Sequence, residues 1–330
     1  MYKHCTQRKC SLHKEAVRDE AQSVCPVCGG WLTAVELEPG DTIPDFGFTI
    51  LAKLPEGDGG MATVYRARIP AVRHDVALKL CRDNSYEYTA LRREAHALAE
   101  LQHPNIVRII PVPAAHGTER YAPKVTVMGE SRCFIVLEYV DGPSLRHQLR
   151  HKNTVRWPDA IRIVRQVGQA LSFAHSKGFL HLDVKPSNIL LDRTGRRVVL
   201  TDFGLVAPTD TGRRDPASGR RLLGTAGYMS PEHVSRQPLD YRADIFSLGV
   251  VLYEMLTGKA PFVKEDTSDT LKAVLRLEAV PPSQHDAKLI VMDAVLHKAL
   301  AKDRSQRYQS TRELVEDTER ALRARRGLFG

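Results

Sequence analysis

Asp183, Lys185 and Asn188 follow His181 at two, four and seven residues in the stretch HLDVKPSNILL (181–191). A carboxylate, an amine and an amide so close together can serve one reacting group. The carboxylate takes a proton from a hydroxyl, the amine holds an anion, and the amide oxygen ligates a cation. Other stretches supply the complement. LPEGDGGMATVYRA (54–67) sets Gly57, Gly59 and Gly60 in a turn between two strands, where backbone amides can approach a polyphosphate with no side chain in the way. Lys79 in DVALKL stands on the next strand within reach of phosphate oxygens, and Glu94 on the helix after it can pair with that lysine. TDFG (201–204) adds Asp202. A nucleoside triphosphate needs such a set: cations for its phosphates, carboxylate and amide oxygens for magnesium, and a carboxylate near an acceptor hydroxyl. Singly, Lys79 or Glu94 would read as a solvated charge and Asp183 as a turn residue. The joint pattern carries the reading.

The elements that must hold these groups divide into two kinds. FTILAKL, ATVYRARI, DVALKL, RIIPV and CFIVLEYV read as short strands, and YTALRREAHALAELQ (88–102) has the apolar spacing of a helix packed on that sheet. From about residue 144 helices dominate: AIRIVRQVGQALSFAHSKG, ADIFSLGVVLYEMLTG, DAVLHKALAKD and TRELVEDTERALRAR. A β-rich half followed by an α-rich half predicts an α+β fold of two lobes with a cleft between them. Residues 113–132, between two strands, read as an inserted mobile loop.

The 330 residues, 42% hydrophobic and 26% charged, have ordinary globular composition. The formal charge of +9 favours anionic partners, but the basic residues are scattered, apart from an Arg-rich stretch at 213–221 and a tail at 320–326. No aromatics interleave with them to stack bases, so nucleic acid is not the expected partner. The longest uncharged apolar run, IFSLGVVLY (245–253), is too short to span a membrane, and the N-terminus lacks a secretory apolar segment. A cytoplasmic protein with reduced cysteines is expected.

Four of six cysteines, Cys5, Cys10, Cys25 and Cys28, fall in the first 28 residues. CPVCGG (25–30) lets the chain turn tightly so that two thiolates face one point, and two such pairs give the tetrahedral ligand set of a structural zinc site. The four-residue gap of the first pair is wide, and His4 or His13 lies close enough to replace a thiolate. A redox pair at Cys25 and Cys28, or a loosely folded arm with incidental cysteines, are the alternatives. Cys81 and Cys133, in apolar surroundings, read as core residues. The chain thus divides into a zinc-ribbon-like segment, 1–40, and a second domain, 41–326.

Nine stretches occur in one order: GDGGMATVY, VALK, HPNIV, LEYVDGPSL, HLDVKPSNILL, DFG, GTAGYMSPE, DIFSLGVVLYEMLTGKAPF and RYQS. From about residue 47 to 323 the chain resembles the eukaryotic-like (Hanks-type) serine/threonine protein kinases, especially their bacterial branch. The resemblance implies the bilobal kinase fold, with an N-lobe at 41–140 and a C-lobe at 141–326. It also implies ATP with Mg2+ (or Mn2+) as cofactor, and protein substrates, the chain itself included. On this resemblance Lys79 contacts the α- and β-phosphates with Glu94 as its ion-pair partner, and Asp183 accepts the hydroxyl proton. Lys185 steadies the γ-phosphate, and Asn188 and Asp202 hold magnesium. Thr225 belongs to the acceptor platform and contacts Asp183 and Lys185. The nucleotide site comprises Leu54, Gly57, Gly59, Gly60, Val64, Ala77, Lys79, Leu137, Glu138, Val140, Leu190 and Asp202. Of these, Val64, Ala77 and Leu190 sandwich the adenine, the backbone of Glu138 and Val140 bonds its edge, and Leu137 is the gatekeeper. Glu232 and Arg307 are the buried ion pair of the large lobe, and Asp244 anchors the catalytic loop.

Two positions depart from the pattern. Leu182 stands where most relatives have an arginine that clamps a phosphorylated activation-loop residue, so the departure touches regulation and removes no atom of the transfer machinery. Ala62 replaces a third glycine at the cost of some loop flexibility. Three rival readings exist: a pseudokinase scaffold, a small-molecule phosphotransferase, and a recruitment module whose arm, with a partner the sequence does not name, is the working part. The presence of Lys79, Asp183 and Asp202 speaks against the first, and GTAGYMSPE against the second.

Overall fold

The computed structural model describes residues 2–5, 17–18, 32–34, 37–55, 62–69, 74–82, 85–112, 120–127, 130–203, 207–208 and 226–329. They fall into two compact units, one of residues 1–56, 60–92 and 109–139, the other of 57–59, 93–108 and 140–330.

The first unit opens with three short strands, β1 (Tyr2–Cys5), β2 (Val17–Arg18) and β3 (Leu32–Ala34), paired antiparallel in the order β2-β1-β3, with Cys5 opposite Leu32. Its larger sheet contains β4 (Thr42–Ile43), β5 (Phe48–Lys53), β6 (Ala62–Arg68), β7 (Val76–Arg82), β8 (Lys124–Val127) and β9 (Glu130–Glu138). They pair in the antiparallel order β4-β5-β6-β7-β9-β8, with a register shift between Ile50 and Ala52. The side-chain period of a strand divides this sheet into two faces. Tyr65, Leu78, Leu80, Phe134 and Val136 turn to one face and join Leu37, Ile43, Phe48 and Ile50 in a buried cluster. Phe46, Phe48 and Phe134 pack there with ring centroids 5.0–5.7 Å apart. Leu37 also donates its backbone N–H to the Tyr65 hydroxyl (3.2 Å), so the core reaches back to residue 37.

Two expectations are corrected here. RIIPV is not a strand: Pro111 has no N–H to give a ladder, and the segment makes a bridge from Ile109 to Leu137, a bond from Ile110 N–H to the Val136 carbonyl (2.7 Å) and one from Val112 N–H to the Arg120 carbonyl (3.1 Å). Nor is 113–132 simply a loop. Residues 124–127 alternate Lys-Val-Thr-Val and form the edge strand β8, with Val125 and Val127 buried, while 113–119 lie outside the described residues.

The helix α1 (Ser85–Glu100) buries Leu91, Ala95 and Leu98 at helical spacing, and Glu94 beside them is 1% exposed. In the second unit follow α2 (Leu145–Lys152), α3 (Trp157–Ser176), β10 (Phe179–Leu180), β11 (Ile189–Leu191), β12 (Val198–Leu200) and β13 (Ala207–Pro208). After them come α4 (Pro231–Val234), α5 (Arg242–Thr257), α6 (Thr267–Arg276), α7 (Asp293–Ala299) and α8 (Thr311–Phe329). Ser144, Ser230 and Asp266 cap α2, α4 and α6 by accepting first-turn amides. Every residue of α5 from Ala243 to Leu256 is buried, so it forms the axis of this unit. Two glycines let helices close on one another. A Cβ on Gly168 of α3 would lie 2.9 Å from Val315 of α8, and one on Gly249 of α5 would lie 2.9 Å from Ala299 of α7.

Candidate active site

The loop between β10 and β11 carries the sequence HLDVKPSN, and its shape is dictated by one buried carboxylate. Asp244, in the first turn of α5, accepts the backbone N–H of His181 (2.9 Å) and the His175 ring Nε2–H (2.8 Å) on Oδ2, and the backbone N–H of Leu182 (2.7 Å) on Oδ1. Burial alone would raise the Asp244 carboxyl, but the donors converging from His175 and His181 hold it below the usual carboxylate range. Leu182 is thereby held at φ +62°, a left-handed backbone that leucine rarely adopts. Its side chain, 7% exposed, packs with Leu180, Ala243 and Leu239.

His181 fixes the next turn. Its Nδ1 accepts the Asp183 backbone N–H (3.2 Å) and its Nε2 donates to the Thr201 carbonyl (3.1 Å), which assigns the neutral Nε2–H tautomer. The Phe203 ring meets the imidazole edge to face at 4.5 Å. Asp183, Lys185 and Asn188 then converge. Lys185 Nζ lies 2.9 Å from Asp183 Oδ2, and Asn188 Nδ2 donates to the same oxygen (3.0 Å) and to the Asp183 carbonyl (2.9 Å). Both groups donate to the same carboxylate oxygen. Asp183 Oδ1 is buried without a hydrogen-bond partner among the described residues, and Asn188, donating through Nδ2, keeps its Oδ1 as the atom able to ligate a cation. Burial pushes the Asp183 carboxyl up; Lys185 opposes that shift and the Asp202 charge adds to it. Asp202 stands at φ +66° directly after Thr201, whose N–H donates to the Asn188 carbonyl (2.9 Å). Leu190 sits on β11 opposite Val199.

In the first unit, register alone gathers the residues expected at a nucleotide. Val64 opposes Lys79, Ala77 opposes Leu137, and Lys79 opposes Ile135. Val64, Ala77, Lys79 and Leu137 therefore share the sheet face opposite the buried cluster. Leu54 donates its N–H to the Val64 carbonyl (2.8 Å), and Glu138 closes β9. Val140 is buried in the second unit. Gly57, Gly59, Gly60, Thr225, Cys10, Cys25 and Cys28 lie outside the described residues, as does the side chain of Cys5. Among the described residues no group of three or more His, Cys, Asp or Glu side chains is placed to hold a metal ion. None of the described helices is long and apolar enough to cross a membrane.

The remaining expected pair is present. Arg307, fully buried, gives Glu232 two parallel bonds of 2.7 and 2.8 Å. Sequence reasoning did not find a second network beside it. Arg146 donates to Glu254 Oε1 (2.7 Å) and to the Tyr228 hydroxyl, which itself donates to Glu254 Oε2 (2.6 Å). Burial and the Glu254 charge push the Tyr228 phenol far up, so it stays a donor. The Tyr228 carbonyl accepts Ser247 Oγ–H (2.7 Å), fixing the 226–228 turn on α5. The available signal was Glu254 itself, a carboxylate directly after the apolar run IFSLGVVLY.

A curled antiparallel sheet in one unit, a helical second unit, and an Asp-Lys-Asn loop hung from a buried helix carboxylate define the protein kinase fold. The sequence matches the protein kinase domain over residues 49–318, and the chain belongs to that family. It is 38% identical over 267 residues to the serine/threonine-protein kinase PknB of Mycobacterium leprae, covering 79% of this chain and 41% of that one. It is 34% identical over 269 residues to a probable serine/threonine-protein kinase of Clostridium perfringens, covering 80% and 37%. The chain thus spans about two fifths of the length of these curated relatives. Its fold is similar to the crystal structure of the Mycobacterium tuberculosis PknI kinase domain, with a TM-score of 0.63 at 25% identity, covering 87% of this chain and all of that one.

Proposed function

We propose that this chain is a serine/threonine protein kinase that transfers the γ-phosphate of ATP to hydroxyls of proteins, itself included. The observation that carries the reading is Asp183, with one oxygen held by Lys185 and Asn188 and the other buried without a partner among the described residues. Oδ1 is the atom that orients the acceptor hydroxyl and takes its proton. A lysine two residues after that aspartate suits the serine/threonine class. Mg2+, or Mn2+ in its place, neutralises charge on the transferring group when bound, and the residues fit it. Asn188 Oδ1 and Asp202 are oxygen ligands, and two protein oxygens are the usual share for magnesium bound with a nucleotide. Lys79 holds the α- and β-phosphates with Glu94 as its ion-pair partner. Gly57, Gly59 and Gly60 cover the phosphates. Leu54, Val64, Ala77, Leu137, Glu138, Val140 and Leu190 receive the adenine, and Thr225 lies at the acceptor platform.

Asp183→Asn lowers turnover by orders of magnitude while ATP binding is largely kept. Equal phosphorylation by that variant sinks the assignment. Lys79→Met abolishes transfer by misplacing the phosphates.

Leu182, seated among Leu180, Leu239 and Ala243, offers no cation to a loop phosphate. Activity is therefore independent of an arginine-clamped loop phosphate. Thr209→Ala with Thr211→Ala costs less than about fivefold, because a charge-assisted clamp worth about 1.5–3 kcal/mol is missing from the start. Loss of Thr225 hurts regardless of phosphorylation. Phosphatase treatment followed by an initial-rate assay tests this, and a drop of more than tenfold (about 1.4 kcal/mol) restored by autophosphorylation would overturn it.

The segment at 1–40 is read as a zinc ribbon with Cys5, Cys10, Cys25 and Cys28 around one structural ion, in a reducing cytoplasmic setting, ahead of a kinase domain at 41–326. The chemistry of four soft thiolates supports zinc. Metal analysis of the purified chain should give near-stoichiometric zinc, lost on Cys25→Ser with Cys28→Ser. Zinc that persists in that double variant contradicts the ribbon.

A further inference from the structure

Strand register places Cys81 of β7 directly opposite Cys133 of β9. Both are thiols, 5% and 0% exposed, and Cys133 Sγ lies 4.0 Å from the Cys81 carbonyl oxygen. Directly opposed residues of an antiparallel pair turn to the same face with Cβ atoms about 4.5–5.5 Å apart. A disulfide holds its Cβ atoms at about 3.5–4.5 Å. An inward movement of about 1 Å therefore suffices to join these two sulfurs.

We propose that Cys81 and Cys133 form an oxidation site, at which a hydroperoxide converts the two thiols into a cross-strand disulfide that displaces β7 and slows the enzyme reversibly. Cys81, the more exposed of the two residues, attacks the peroxide O–O bond. The sulfur becomes a sulfenic acid and one water leaves. The Cys133 sulfur then attacks the sulfenic sulfur, the S–S bond forms, the S–O bond breaks, and a second water departs. Two thiols lose two electrons and one hydrogen peroxide becomes two waters. An isolated buried thiol is ordinarily inert. Here the resolving thiol is already in place across the ladder, so a sulfenic acid is trapped within the molecule before it oxidises further.

The consequence follows from the pleat. Lys79 lies two residues before Cys81 on the same strand, on the same face, opposite Ile135. Drawing β7 toward β9 at Cys81 shifts the backbone that carries Lys79. A misplacement of 1 Å at a positioning group costs up to about a hundredfold in rate. This consequence rests on the role proposed for Lys79; formation of the linkage does not.

The test uses the full chain, treated with hydrogen peroxide, quenched, and digested without reductant. Mass spectrometry should find a Cys81–Cys133 linked peptide, distinct in mass from any peptide carrying Cys5, Cys10, Cys25 or Cys28. Kinase activity should fall about tenfold or more in step with it. Dithiothreitol should reverse both. The Cys81→Ala Cys133→Ala double variant should keep its untreated activity and lose the peroxide response. Absence of the linked peptide, or an equal peroxide response in the double variant, overturns the site. Should the double variant fold poorly, the linked peptide in the unmodified chain decides alone. A linkage that forms with no change of rate overturns the claimed effect on β7, whereas failure of the kinase reading itself would appear as inactivity before any peroxide is added.

Discussion

Three N–H groups converge on Asp244, and an asparagine there could accept only on one oxygen. Asp244→Asn should therefore cost about 2–4 kcal/mol of stability, as a buried network loses one acceptor and turns an amine toward a donor. The chemical denaturation midpoint measures this loss, and kcat should fall with it because Leu182 and Asp183 lose their anchor. Since the folded carboxyl lies below its ordinary 3.8, its contribution is present above that value and is lost as pH falls through the lower folded value. Lys302 is also shifted down, but there the charged form is the one the fold penalises. Its Nζ lies 3.8 Å from the Phe262 ring centroid and 5.6 Å from that of Phe246, without a hydrogen-bond partner among the described residues, and burial lowers it from 10.5 to about 8. The unfolded chain binds the extra proton between about 8 and 10.5, so stability should rise with pH across that window. Lys302→Met should flatten the rise and add about 1 kcal/mol near neutrality, after allowance for partial exposure. Thermal melting at pH 7 and pH 10 checks both statements. Asp183 and Asp244 were legible in the sequence because short motifs surround them. Lys302 was not, because nothing local in LAKDRSQRY marks two phenylalanines about forty and fifty-six residues earlier.

The connections between elements are as demanding as the elements. A Cβ on Gly142, at the end of the segment leading to α2, would lie 1.9 Å from the Leu191 carbonyl of β11, whose own N–H donates to Pro143 (2.9 Å). Gly142→Ala must push α2 and β11 apart and should cost about 1–3 kcal/mol, measured as a lowered denaturation midpoint. Arg307 ties the turn before α8 to α4 by its two bonds to Glu232, and it also bonds the Ala301 and Lys302 carbonyls. Arg307→Met leaves the Glu232 carboxylate buried without its cation, and a loss of about 3–5 kcal/mol is expected. Arg307→Met with Glu232→Leu should recover part of it. β7, a short run rich in apolar residues, and α5, a long helix buried on every side, were readable directly from their residues. RIIPV and residues 124–127 were misread because both are segments of only four or five residues, and at that length only pairing partners decide between strand and loop.

At the scale of the molecule, the first unit's core does not begin where the composition changes. Leu37 joins the cluster of Tyr65 and Phe134, so removing residues 1–40 should lower the melting temperature more than removing residues 1–34, which leaves Leu37 in place. A difference of about 2–4 °C matches one lost buried leucine in a domain of this size. Equal melting of the two truncations would place the true edge of the core later in the chain. The carboxylate of Asp244 has a last consequence, in the time domain. Loop amides ordinarily trade their hydrogens with solvent quickly, because small local openings free them. The amides of His181 and Leu182 are bonded to a carboxylate inside the axial helix, and only opening of the unit around α5 releases them. Placed in deuterium oxide, this stretch, irregular in backbone and lodged between two-residue and three-residue strands, should keep its protons as long as the centre of α5 does.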